Sequence, residues 1–241
     1  MITDEAGLVV LLALPFAGSI AAMLLRANAR NAEAWLAGGV ALAALFVTSR
    51  YYDAVAHGEV VKFAVAWLPS GDLDFTLRMD GFAWTFAIVV TAIGALVVLY
   101  ARYYMSPQDP VPRFFAFLLA FMGSMLGVVL SGNLIVMVFF WELTSIASFL
   151  LIGYWHHNAA ARDGARMALI VTSAGGLCLL AGVLILGHVV GSYDLDRVLA
   201  SREVIVSHDL YIPALVLVLL AARGFSAVSY THLTLPTTER V

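Results

Sequence analysis

Asn133-Leu-Ile-Val-Met-Val-Phe-Phe-Trp-Glu142-Leu-Thr-Ser-Ile-Ala-Ser-Phe-Leu-Leu-Ile-Gly-Tyr-Trp155 is the stretch that decides how this chain folds. It is apolar and aromatic for about 20 residues, the length an α-helix needs to cross a bilayer. Glu142 breaks the run near its middle. Carboxylates at that depth are expensive, face a protein interior or an aqueous cavity, and mark ion or proton paths. A second reading stays open, in which Glu142 hydrogen-bonds to a nearby Ser or Thr and only locks helix packing.

The rest of the chain agrees with a membrane setting. Of 241 residues, 62% are hydrophobic and 12% charged, against about 25% charged in soluble domains. Mean hydropathy is +0.94. The net charge of −3 gives no argument for nucleic acid. Cys178 is the single cysteine, which excludes an internal disulfide and a Cys-x-x-Cys motif. Phosphate-binding glycine loops are absent from the sequence, and no cofactor is expected.

Seven apolar segments are long enough to span: about 7–25, 33–51, 81–104, 113–131, 133–155, 164–190 and 208–226. The first is preceded by Asp4 and Glu5 rather than by a basic region, so it does not read as a signal peptide. The short first, third and fifth connections carry Arg26 and Arg30, Arg102 and Arg113, and Arg162 and Arg166. Short basic loops stay in the cytoplasm, which puts the N-terminus outside. Asp53, Glu59, Asp80, Asp194 and Asp196 fall on the opposite side.

The second connection has a pattern of its own. Asp72-Leu-Asp-Phe-Thr-Leu-Arg-Met-Asp80 alternates polar and apolar, the period of a half-buried strand. A β-former-rich run, 59–68, precedes it, and Pro69-Ser70-Gly71 between them signals a turn. An external β-hairpin over 59–79 is expected, its apolar face on the helix ends; an irregular loop is the alternative. Gly175, Gly176 and Gly182 form a small-residue packing face in the sixth span. Pro15 can kink the first span.

Several of these residues resemble one family. Phe139-Phe-Trp-Glu-Leu-Thr-Ser145 with Leu150-Leu-Ile-Gly153 is similar to the fifth-helix motif of the proton-translocating antiporter-like subunits. These occur in respiratory complex I and in multisubunit Mrp-type Na⁺(K⁺)/H⁺ antiporters. Arg78-Met-Asp-Gly-Phe82, Val98 to Ser106, and Phe114 to Asn133 resemble the start and exit of helix three and then helix four. Leu169-Ile-Val-Thr-Ser-Ala-Gly-Gly-Leu177 is more similar to the A-type subunit of Mrp antiporters than to the large antiporter-like subunit of complex I. The latter typically reads Val-Thr-Arg-Val-Gly-Asp there, and Ser173 and Gly176 stand in place of its Arg and Asp.

The resemblance implies an all-α polytopic membrane protein, a fragment of an inverted-repeat fold of about fourteen helices with broken helices at its ion sites. Residues 1–112 would carry the first three helices and the hairpin. Residues 113–227 would begin the proton-translocating module, with helices four to seven. The implied function is monovalent cation/proton antiport, with H⁺ and Na⁺ or K⁺ as the ions. The implied partners are other antiporter subunits and the lipid bilayer, and the location is the bacterial cytoplasmic membrane. A proton-pumping membrane arm of a complex I-like enzyme is the alternative, and a structural subunit without an ion path is a second. Glu142 is the implied proton-path residue, with Thr144, Ser145, His156 and His157 as candidate neighbours. Imidazole is a common proton carrier, but both histidines also suit interfacial caps.

The chain departs from the family at one place. A lysine expected on the seventh helix aligns with Phe225, and Lys62 is the only lysine in the chain. Residues 228–241 are polar and Thr-rich and are expected to be a non-native tail, similar to translated cloning read-through. A genuinely short protein is the alternative.

Overall fold

The computed structural model describes residues 4–25, 30–68, 73–105 and 111–233. Among the described residues, six helices are long and apolar enough to cross a membrane: α1 (Asp4–Leu24), α2 (Arg30–Ser49), α4 (Gly81–Tyr104), α5 (Val111–Leu130), α6 (Leu134–Ile152) and α7 (Ala159–Val190). The short α3 (Tyr52–Ala56) follows α2, and α8 (Leu195–Ala200) and α9 (Arg202–Ser207) follow α7. The seventh predicted span is α10 (Tyr211–Leu233), whose apolar described part, Tyr211–Gly224, is shorter than the other six. The helix does not stop where the tail was expected to begin. Residues 228–233 continue it, because Pro236 is the first helix breaker after Gly224. Residues 234–241 lie outside the described residues.

Local capping moves other predicted boundaries. Asn158 accepts a bond from the Ala160 amide at 2.9 Å and starts α7 five residues early. Arg162 and Arg166 therefore ride on the first turns of α7 rather than in a loop. At the end of α6, Gly153 is the C-cap, so His156 and His157 sit in the turn beyond the helix.

α5 is the most enclosed span and α4 the least. The former packs against α1 and α6, α2 lies on α4, and α7 joins α6 to α10. Small residues permit the close approaches. On α5, a Cβ at Gly127 would fall on the ring of Phe140, and one at Gly123 would lie 3.0 Å from Phe16 Cε2.

The hairpin is formed as expected. β1 (Val61–Leu68) pairs antiparallel with β2 (Leu73–Met79), with Val61 opposite Met79. Its predicted turn at Pro69–Gly71 lies outside the described residues. Leu77 and Met79 are fully buried with Leu8, Leu11, Leu126 and Leu130 on the ends of α1 and α5. The polar face of β2 is covered too, since Thr76 is buried and its carbonyl accepts from the Gly132 amide at 2.8 Å. Gly132 in turn accepts from the Leu195 amide at 2.9 Å. The α5–α6 turn is thus sandwiched between the hairpin and the segment that enters α8. The second and sixth connections meet at one end of the bundle.

Candidate functional site

Glu142 sits between two helices. Its own helix starts at a fixed point: Asn133 Oδ1 accepts from the Ile135 amide at 2.9 Å, and the Leu134 amide donates to the Tyr193 carbonyl at 2.9 Å. Nine residues into α6, Glu142 turns toward α7, which presents Ser173 and Gly176. The Ser173 hydroxyl hydrogen-bonds with the carboxylate. Oε1 is buried and has no hydrogen-bond partner among the described residues. A Cβ built on Gly176 would coincide with that oxygen, and would lie 2.7 Å from Cδ and 3.4 Å from Trp141 Cδ1. Gly176 is therefore part of the seat of the carboxylate, a correction to its reading as packing alone. Trp141 closes the same side.

Gly175 faces a different neighbour. A Cβ there would lie 3.3 Å from the Ala221 carbonyl oxygen and 3.5 Å from Gly224 Cα, both on α10. Adjacent glycines on α7 thus receive the carboxylate of α6 and the backbone of α10. Position 225 follows directly on α10, and its side chain lies outside the described residues.

The remaining candidates separate. Thr144 and Ser145 are buried but hydrogen-bond back to the Trp141 carbonyl, at 2.7 and 3.4 Å, rather than to Glu142. Ser145 shares the Glu142 face at i+3, whereas Thr144 at i+2 does not. His156 and His157 are exposed, with ring centroids 5.9 Å apart, and the His156 carbonyl accepts from Arg162 Nη1 at 2.8 Å. Ten residues of helix, about 15 Å, separate Glu142 from the end of α6. The structure does not bring the histidines to the carboxylate.

Two features escaped the sequence reading. Glu33, at the start of α2, is fully buried with neither oxygen hydrogen-bonded among the described residues. At the hairpin end, Asp196 pairs with Lys62 and lies 3.1 Å from Arg78 Nε, and Arg78 also pairs with Asp80. The Lys62 hydrogen bond holds the Asp196 carboxyl below the ordinary aspartate range; partial burial opposes this and Arg78 reinforces it. No sequence spacing links residues 62 and 196. Glu33 had a signal, the alanine period on α2.

Chemically, a mid-span carboxyl with one hydroxyl neighbour and one bare oxygen can hold a proton and release it with a small side-chain motion. Known proteins resemble this chain. Residues 67–115 match the family described as the N-terminus of chain 5 of NADH-ubiquinone oxidoreductase (complex I). Residues 131–239 match the transmembrane family of NADH:quinone oxidoreductase and Mrp antiporters. A Rhizobium meliloti protein described as the probable A/B subunit of a K(+)/H(+) antiporter is 59% identical over 227 residues, 94% of this chain and 23% of that protein. The A subunit of the Na(+)/H(+) antiporter of Alkalihalophilus pseudofirmus is 40% identical over 188 residues, 78% of this chain and 23% of that protein. The chain thus spans about a quarter of the length of these curated relatives. Among solved structures, the Mrp complex from Dietzia superposes with a TM-score of 0.78 at 26% identity, over 90% of this chain and 23% of that one. An archaeal membrane-bound sulfane sulfur reductase shares the fold, with a TM-score of 0.76 at 21% identity, over 90% of this chain and 34% of that one. On the family matches and these identities, the chain belongs to the antiporter-like family of membrane subunits common to Mrp antiporters and NADH:quinone oxidoreductases.

Proposed function

We propose that this chain works as part of the A-type subunit of a multisubunit antiporter that exchanges Na⁺ or K⁺ for protons across a bacterial cytoplasmic membrane, and that Glu142 is its proton-path residue. It acts within a transporter rather than as an enzyme, among other antiporter subunits. The single observation that carries this reading is the seat of Glu142: a mid-span carboxyl with Oε1 buried and unpartnered, between Ser173 and a glycine with no room for a side chain. An ionised carboxylate in that seat is poorly compensated, so a proton is its natural partner. The proton is given up when water or a cationic group reaches the free oxygen.

Ser173 and Gly176 also favour antiport over the redox-pump alternative. They are the two positions at which the chain leaves the complex I-like pattern, and both face Glu142. Short basic connections support a hairpin outside, with the N-terminus on the same side. Thr144 and Ser145 shape the helix beside the path, and the exposed His156 and His157 belong to its cytoplasmic surroundings rather than to the path.

The test is Glu142→Gln in the full-length protein within its complex, read in everted vesicles by cation-driven dissipation of a pH gradient. Glutamine keeps size and hydrogen bonding but cannot titrate. The expected result is normal assembly with loss of exchange; normal exchange by an assembled variant removes Glu142 from the path.

A further inference from the structure

We propose that Glu33 is a second proton-exchange site of this chain, buried on the alanine stripe of α2 at the end of the bundle opposite the hairpin. The buried stripe of α2 consists of Glu33, Ala37, Ala41, Ala44 and Thr48, all at 0% exposure. Four of these five are small or bonded: the Thr48 hydroxyl donates to its own helix at the Ala44 carbonyl, 2.8 Å away. Glu33 is the exception. Its two carboxylate oxygens are both buried and neither has a hydrogen-bond partner among the described residues. Around the same end, Ala34, Ala37 and Ala101 belong to one buried cluster with Met105, Val111 and Phe115, in which Tyr154 carries the polar side chain.

Two arginines at this end are engaged with aromatic rings. On α4, the Arg102 guanidinium stacks 5.0 Å from the Trp35 ring and 5.7 Å from that of Tyr103. On α5, Arg113 lies 5.8 Å from the Phe117 ring. The packed part of α1, from Ala6 to Leu24, has no ionisable residue. Among the described residues, Tyr154, His156 and His157 beyond α6 and Arg162, Asp163 and Arg166 on the first turns of α7 are further titratable groups at this end.

A carboxylate without a partner is costly to bury and a carboxylic acid much less so. Buried without a partner among the described residues, Glu33 therefore holds its proton. Its place in the first turn of α2 gives the ionised form a home as well, because the helix dipole favours an anion there once water enters. A group with both states accommodated, one closed and one wet, is suited to taking up and releasing a proton as this end of the bundle opens. The proposal rests on the antiport reading only for its transport readout; the protonation state of Glu33 is measurable without it.

The experiment treats the full-length complex in membranes with the hydrophobic dicyclohexylcarbodiimide, which modifies protonated carboxyls, and maps adducts by mass spectrometry across a pH series. Glu33 is expected to react, to react with the same pH dependence in a Glu142→Gln background, and to slow about tenfold per pH unit once the acid is the minority form. A water-soluble carbodiimide should leave it untouched. Absence of an adduct, a rate independent of pH, or equal labelling by the soluble reagent overturns the proposal. Glu33→Gln should shift the pH profile of exchange, and Glu33→Asp should restore it. An unchanged profile in an assembled Glu33→Gln complex overturns the exchange role, and the labelling decides alone if that variant does not assemble.

Discussion

Gly176→Ala tests the seat of Glu142 with one methyl group. The added Cβ would coincide with Glu142 Oε1 and lie 2.7 Å from Cδ, well inside the contact optimum of about 3.5–4.0 Å between carbons. Trp141 Cδ1, 3.4 Å away, blocks escape on one side. The carboxylate is the mobile end of its side chain, so it moves and the helices stay. Displacing it from a rotamer well costs about 0.5–1.5 kcal/mol, and overpacking as a whole about 1–3 kcal/mol. If that penalty falls entirely on proton transfer, exchange slows about 5- to 150-fold, at 1.36 kcal/mol per decade. The assay is exchange in vesicles, normalised to assembled complex. Gly164→Ala is the control, since a Cβ there meets nothing within 4 Å. The Gly176 variant should be slow, the Gly164 variant normal, and Gly176→Ala should add nothing in a Glu142→Gln background. Wild-type exchange by an assembled Gly176→Ala complex would refute the seat.

Three other outcomes are expected. In a Cys178→Ala background, a cysteine at Ser70 should label from outside intact cells with an impermeant reagent and one at Ala160 should not; the reverse pattern inverts the topology. Gly127→Ala, which drives a methyl into the Phe140 ring, should destabilise the α5–α6 contact by about 1–3 kcal/mol and lower the melting temperature of the detergent-solubilised protein; an unchanged melting temperature contradicts that close approach. Asp196 is held below the ordinary aspartate range, so its contribution is present at neutral pH and is lost as pH falls through its lowered value. Hydrogen exchange at Thr76 to Met79 should therefore rise on strong acidification, and Asp196→Asn should raise it already at neutral pH. The effect is small, about 0.2–1 kcal/mol per exposed pair, and identical exchange in the variant rules out the ion-pair clamp.

Much of this architecture is legible in the sequence because the bilayer imposes length. Helices α1, α2 and α4 to α7 follow from apolar runs alone, and β2 from a period of two that ends in the buried pair Leu77 and Met79. Glu142 is legible for the same reason: a charge in such a run is conspicuous. The caps were less so. Asn158 reads as loop until its bond to Ala160 shows it starting a helix, which carries Arg162 and Arg166 out of the connection. The role of Gly176 needed the third dimension, since nothing in the order Gly175-Gly176 says which one meets α10 and which one meets a carboxylate. Glu33 lay hidden because it sits where the apolar run begins, a position that usually reads as solvated, although the buried period Ala37, Ala41, Ala44 extends straight back to it. The pairing of Lys62 with Asp196 joins residues 134 apart, beyond any local pattern.

The most direct measurement of the central claim is proton flux in proteoliposomes holding the purified full-length complex, driven by an imposed Na⁺ or K⁺ gradient. Wild type, Glu142→Gln and Glu142→Asp are compared at equal assembled protein. Wild type should move protons, Glu142→Gln should not, and Glu142→Asp, which keeps a titratable carboxyl in a displaced position, should retain a reduced flux. Equal proton flux from the wild type and the glutamine variant would show that protons cross this complex without Glu142.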